Sequence, residues 1–199
     1  MSQHLGRRRI SFMDAYQMIT FIKELERLKD TTRTAYMRSG RRESVAEHSW
    51  RLAMFAFALS DQFPELDTKR VLIMCLVHDL GEAYDGDISA TVQVDQKEKV
   101  QKEEEAVQRL TSSLGEKGKH DILTICQEYN RGYTKEAKFV KALDKMETII
   151  QHTQGTNPPG FDYEFNLTYG KEYVKDHAIM KSIRDEIDKE TIKKMNEEA

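Results

Sequence analysis

The 199-residue sequence holds only two cysteines, three prolines, ten glycines and one tryptophan. So few prolines and glycines leave room for long uninterrupted helices and argue against a sandwich full of turns. Cys75 and Cys126 lie far apart and match neither a disulfide framework nor a zinc-ligand spacing. They read as buried thiols of a reducing compartment, so a cytoplasmic protein is expected. No apolar run approaches the ~18 residues of a membrane span. The opening stretch MSQHLGRRRISFMD is basic but lacks the apolar segment of a secretory signal, so none is expected. The formal net charge is −3, which gives no overall attraction to nucleic-acid polymers. A small anionic substrate needs only a local basic patch and stays open.

What is present is helical pattern. The length fits one domain, able to bury a core without staples. Ala15, Met18, Ile19, Ile22, Leu25 and Leu28 recur at helical spacing and predict an amphipathic helix near residues 12–29. A basic loop follows over Asp30 to Arg42, holding Arg33, Arg38, Arg41 and Arg42. Ser44-Val45-Ala46-Glu47 is a capping box, in which serine and glutamate satisfy each other's backbone donors. It predicts a helix running to about Ser60. Asp67 is the expected N-cap of a third helix from Thr68 to about Tyr84, broken by Asp85-Gly86-Asp87. Further helices are expected near 96–114, 120–130 and 135–153, the last burying Val140, Leu143, Met146 and Ile150. A loop at Asn157-Pro158-Pro159-Gly160 leads to a polar closing helix with Val174, Met180, Ile183 and Ile187. No strand pair is expected, and the fold class is all-α.

Chemistry enters at His78-Asp79, which ends the apolar stripe of Val71, Met74 and Cys75. An imidazole and a carboxylate there are costly to bury unless paired or ligated. A lone pair of this kind is most often a hydrogen-bonded part of the core. This one has company. His48 stands just inside the capping box, and Asp144 interrupts the buried pattern of the 135–153 helix. Three helices thus offer two imidazoles and two carboxylates. That mixed set suits Mn²⁺, Co²⁺, Fe²⁺ or Ni²⁺ more than a closed zinc site, with Mg²⁺ and Zn²⁺ also open. Glu82, four residues after His78, and Asp87 are acids at a helix C-terminus, where the dipole disfavours them. They are candidates for a second cation, and Glu82 also for general base. The loop arginines offer forks that match phosphate oxygens. Tyr36 and Trp50 could stack on a base, although such aromatics are more often core.

His48, His78-Asp79 and Asp144 resemble the H…HD…D signature of the HD superfamily. The surrounding blocks, Arg42-Glu43-Ser44-Val45-Ala46-Glu47-His48-Ser49, Val77-His78-Asp79-Leu80-Gly81-Glu82-Ala83, Gly86-Asp87-Ile88 and Ala137 to Lys145, are similar to its 5′-deoxynucleotidase branch, of the YfbR-like and HD-domain-containing-protein-2-like kind. The likeness covers roughly residues 12–152 of a single HD domain over 1–199, with a helical extension about 171–199. It implies a helical bundle, a divalent metal on His48, His78, Asp79 and Asp144, and hydrolysis of deoxyribonucleoside 5′-monophosphates by a homodimer. It also implies that Glu82 and Asp87, with the Ile88 carbonyl nearby, are second-metal or catalytic residues, and that Arg33 contacts substrate. The bacterial branch has tryptophan after that arginine, where Thr34 stands here. Asp79 or Glu82 would orient the attacking water, and Arg33 would neutralise charge on the phosphoryl oxygens. The rival expectations are another HD phosphohydrolase, acting on cyclic nucleotides or nucleoside polyphosphates, and a nucleotide-sensing module with little turnover.

Overall fold

A computed structural model describes residues 14–88 and 95–198; the basic opening stretch up to Met13 lies outside them. Asp14 accepts from the Tyr16 amide and starts α1 (Ala15–Glu24). The expected first helix is interrupted here, because Leu25 and Glu26 tighten the chain before the short α2 (Arg27–Asp30). Leu28 is buried, whereas Met18, Ile19 and Ile22 of α1 are exposed.

The basic loop is in part a hairpin, which corrects the expectation of no strand pair. β1 (Thr32–Tyr36) pairs antiparallel with β2 (Arg42–Ser44), with Thr32 opposite Ser44 and an irregular register toward Tyr36. Alternation turns Arg33 and Ala35 inward and Thr32 and Thr34 outward. The strand was hidden because one of its two inward residues is charged.

Ser44 caps α3 (Val45–Leu59) with the expected box: its hydroxyl accepts from the Glu47 amide at 3.2 Å, and Glu47 accepts from the Ser44 amide at 2.9 Å. Asp67 caps α4 (Thr68–Val77) through the Arg70 amide at 3.0 Å. The α4 helix stops at His78 rather than at Tyr84. Asp79 leaves the helical phase with φ −103 and ψ 15, and a tight 3₁₀ turn follows over Leu80–Ala83. Gly81 is needed there: a Cβ would meet Glu103 Cβ at 2.6 Å. That contact seats the turn on α5 (Gln96–Leu110). The helix α6 (Glu116–Arg131) ends at Gly132 in the left-handed region, φ +64.

Thr134 caps α7 (Lys135–Gln154), the centre of the molecule. It packs against α3, α4, α6, β1 and α8 (Ala178–Glu198). Val140, Leu143 and Met146 are fully buried, as expected, together with Leu52, Met74 and Ile149 from neighbouring surfaces. A second apolar cluster joins Leu28, Val45, Leu80, Val107, Leu110 and Cys126. The bundle is thus all-α apart from the small hairpin. No helix among the described residues is long and apolar enough to cross a membrane.

Candidate active site

His48 sits in the first turn of α3 with no exposed surface, and His78 is the cap residue ending α4. Asp144 lies mid-way along α7, also buried. The capping box, the early end of α4 and the central position of α7 bring these groups to one point. His48 Nε2 is 3.2 Å from Asp144 Oδ1 and 3.7 Å from Asp79 Oδ2, and His78 Nε2 is 3.1 Å from Asp79 Oδ2. One ligand atom each from His48, His78 and Asp144 fall within 4.8 Å of one another.

The two imidazoles are oriented by their other nitrogens. His78 Nδ1–H donates to the Cys75 carbonyl at 3.0 Å, and His48 Nδ1–H donates to Glu147 Oε2 at 2.5 Å. Both Nε2 atoms are buried and make no hydrogen bond among the described residues. Buried polar atoms are rarely left so. Two bare imidazole nitrogens facing two carboxylates fit a cation in the middle, and the mixed set suits a transition metal with open positions. A second grouping, Glu43, His48 and Glu147, lies on the far side of the His48 ring. Arginines serve its carboxylates: Arg51 Nε donates to Glu147, and Arg33 Nε lies 3.4 Å from Glu43 Oε2. This grouping supports His48 from behind.

Electrostatics agree with a site built for positive charge. Burial acts to raise the Asp79 pKa, but the adjacent His78 wins and holds it below the ordinary range. Asp144 is held well below its usual value because Lys145 and His48 outweigh its burial. Lys145 Nζ and the Tyr129 hydroxyl donate to Asp144 Oδ2 at 2.9 and 2.7 Å. Burial and the Arg33 guanidinium act to lower the His48 pKa, yet Glu147 and Asp144 hold it up at about 9.

His78, Asp79 and Asp144 line the floor of a cavity of about 560 Å³, and His48 lies behind them with no exposed surface. Glu82, Asp87 and Ile88 line it, as does Arg33. Glu82 is buried and its Oε2 has no hydrogen-bond partner among the described residues. Burial, then Asp79 and Asp87, push its pKa well above the ordinary carboxylate range. Asp79, Glu82 and Asp87 all stand outside the tight grouping of His48, His78 and Asp144, but Asp79 borders it through its contacts to both imidazoles. Arg33 reaches in from β1: Nη2 donates to Thr148 at 3.0 Å and Nη1 lies 3.6 Å from Asp79 Oδ2. The other loop arginines do not line the cavity. Arg41 Nη1 donates to Glu47 at 3.0 Å, and Arg42 Nε donates to the Arg33 carbonyl at 2.7 Å. Tyr36 and Trp50 are also outside it, Trp50 being 63% exposed.

Sequence reasoning missed Glu147, Tyr129 and Lys145, and the aromatic residues Phe161, Phe165 and Tyr169 that complete the cavity wall. Glu147 had a signal: it falls one turn beyond Asp144 on the buried face of α7. The wall residues had none of that kind, since residues 155–177 carry no helical period.

Comparison with known proteins agrees with this geometry. The HD domain family model matches residues 25–184. The chain is 34% identical over 160 residues to the 5′-deoxynucleotidase HDDC2 of Xenopus laevis, covering 77% of this chain and 79% of that protein. It is 34% identical over 142 residues to the HDDC2 of Homo sapiens, covering 70% and 69% of the two chains. A crystal structure of a predicted metal-dependent phosphohydrolase from Magnetospirillum magnetotacticum superposes with a TM-score of 0.75 at 26% identity, over 90% of this chain and 93% of that one. The convergent histidines and aspartates therefore sit in a known frame, and the chain belongs to the HD domain family.

Proposed function

We propose that this protein hydrolyses deoxyribonucleoside 5′-monophosphates to nucleoside and phosphate, with a divalent cation on His48, His78, Asp79 and Asp144. The observation that carries the reading is the pair of buried Nε2 atoms of His48 and His78 facing the carboxylates of Asp144 and Asp79, which line the floor of the cavity with His78. The relatives' activity supports the substrate class. When bound, the cation would polarise a phosphoryl oxygen and acidify a water. Arg33, ion-paired to Asp79 and aimed into the cavity, neutralises charge growing on the phosphoryl oxygens. Glu82 orients the attacking water from its buried place on the 3₁₀ turn. The water oxygen bonds to phosphorus, the P–O5′ bond breaks, and O5′ leaves with a proton. Asp87 and the Ile88 carbonyl are the groups for a second cation. Mn²⁺ and Co²⁺ are the preferred metals, ahead of Mg²⁺, Zn²⁺, Ni²⁺ and Fe²⁺.

The same reading takes the chain as one HD domain, with the closing α8 as its C-terminal extension. It also makes the protein a homodimer, acting on a small molecule in the cytoplasm and on neither nucleic-acid polymers nor membranes. Exposed Met18, Ile19 and Ile22 on α1, and Trp50, Met54 and Phe57 on α3, are the apolar surfaces such a dimer would cover. Phosphate release from dAMP, dGMP, TMP and AMP, each with Mn²⁺, Co²⁺, Mg²⁺ and Zn²⁺, tests the activity. The deoxynucleotides should turn over, with AMP slower. Equal rates for AMP and dAMP would remove the deoxy preference. Release only from a cyclic or triphosphate substrate would overturn the reading.

A further inference from the structure

The cavity has two unlike sides above its floor. One is α5, which offers Gln96, Lys99, Val100 and Glu103, a charged and aliphatic surface. The other is the segment between α7 and α8, which offers Phe161, Phe165 and Tyr169. These three aromatics are half-buried, with part of each ring open to the cavity. Among the described residues, the ring faces above the floor on which a flat, weakly polar heterocycle could stack gather along this second side.

The wall begins at the floor and runs outward. Lys145 Nζ is 2.9 Å from Asp144 and 5.1 Å from the centre of the Tyr169 ring, and Phe165 lies 4.8 Å beyond Tyr169. Phe161 packs edge-on against His152 at 4.9 Å. His152 is eight residues past Asp144 on the same helix, roughly 12 Å along its axis. The aromatic faces thus run from beside Asp144 at Tyr169 to about two turns further along α7 at Phe161, a stretch long enough for a nucleoside.

The wall is also held rigid. Arg184, fully buried on α8, donates to the carbonyls of Asn166 and Tyr169, both at 2.6 Å. Asn166 Oδ1 accepts from His152 at 2.8 Å, pinning the segment to α7. Gly170 lies in the left-handed region at φ +72, and a Cβ on it would meet Lys145 Cβ at 2.5 Å. Fixed aromatic surfaces in a cavity are prepared to receive a ligand ring without an ordering cost.

We infer that Phe161, Phe165 and Tyr169 form the nucleobase subsite, and that the base is held by stacking. This rests on the nucleotidase reading above. Every base has a π face, so stacking tolerates all of them, and the subsite favours the nucleotide over a sugar phosphate without choosing strongly among bases.

The test is the variant pair Phe161→Leu and Phe165→Leu, which keep apolar volume and remove the ring faces. Unchanged circular dichroism and melting confirm the fold. Two readouts follow: the ratio of kcat/KM for dAMP to that for deoxyribose 5-phosphate, and equilibrium binding of deoxyadenosine, which carries the base without phosphate. The ratio should fall, and deoxyadenosine binding weaken, by on the order of tenfold. An unchanged ratio with unchanged deoxyadenosine binding, in a protein that hydrolyses dAMP, would overturn the subsite alone. Losses equal for dAMP and the sugar phosphate would do the same. Wild-type protein that releases nothing from dAMP yet binds deoxyadenosine through this wall would overturn the nucleotidase reading and leave the subsite standing.

Discussion

Glu147 Oε2 lies 2.5 Å from His48 Nδ1, on the opposite edge of the ring from Asp144. The carboxylate holds Nδ1–H, so that Nε2 is the nitrogen turned toward Asp144 and the one free to take a cation when its proton is displaced. Arg51 holds Glu147 in turn. Carboxylates behind a metal-bound histidine commonly contribute ten- to a hundredfold to metal affinity.

The first expected outcome follows directly. Glu147→Gln keeps an acceptor for Nδ1–H and the side-chain volume, but removes the charge. Affinity for Mn²⁺ or Co²⁺, measured by titration calorimetry, should weaken by about tenfold or more. An unchanged affinity would mean that the orientation of His48 does not depend on this carboxylate.

Glu82 separates binding from chemistry. It lines the cavity and stands outside the tight ligand grouping, and among the described ion pairs Asp79, not Glu82, touches the two imidazoles. Glu82→Ala should retain the first cation while kcat drops by about 10²-fold or more, the usual scale for losing a proton-handling group. Metal content by elemental analysis and kcat on dAMP give the two readings. Full activity in this variant would return Glu82 to the role of a buried structural acid.

Glu128 gives a pH dependence away from the site. On α6 it accepts from Arg70 of α4 and, at 2.6 Å, from the Thr134 hydroxyl that caps α7, tying together the helices that carry His78 and Asp144. Burial acts to raise its pKa, but the Arg70 and Thr134 hydrogen bonds outweigh it and the pKa is lowered. A carboxyl with a depressed folded-state pKa stabilises fully above its unfolded value, about 4.3. That contribution fades as pH falls through the lower folded-state value. Glu128→Gln should therefore cost about 1–2 kcal/mol near pH 7, toward the low end because Arg70 is 39% exposed. The gap between wild type and variant in urea melts should shrink below about pH 4. A gap independent of pH would show that the ion pair contributes no net charge effect.

The helices and the convergent residues were legible in the sequence for local reasons. The capping box before His48 is chemistry within four residues, and the Val140, Leu143 and Met146 stripe needs only a period. What escaped depended on partners distant in sequence. β1 was hidden because Arg33 occupies an inward position where alternation leads one to look for an apolar residue. The α4 helix was read too long because Leu80 and Ala83 continue its apolar pattern, while the early stop depends on Gly81 meeting α5. The aromatic wall was invisible because residues 161–169 are held by Arg184, fifteen residues or more away, and not by any repeat of their own.

The central claim is a cation on His48, His78, Asp79 and Asp144 that drives hydrolysis of a deoxynucleotide. Chelator-treated, dialysed protein assayed on dAMP, then titrated with Mn²⁺ or Co²⁺, tests it most directly. Activity should be absent after chelation and return with the cation, while His78→Ala should neither bind the cation nor recover. Undiminished release of phosphate from dAMP by the metal-free protein, or full recovery of His78→Ala, would contradict the account.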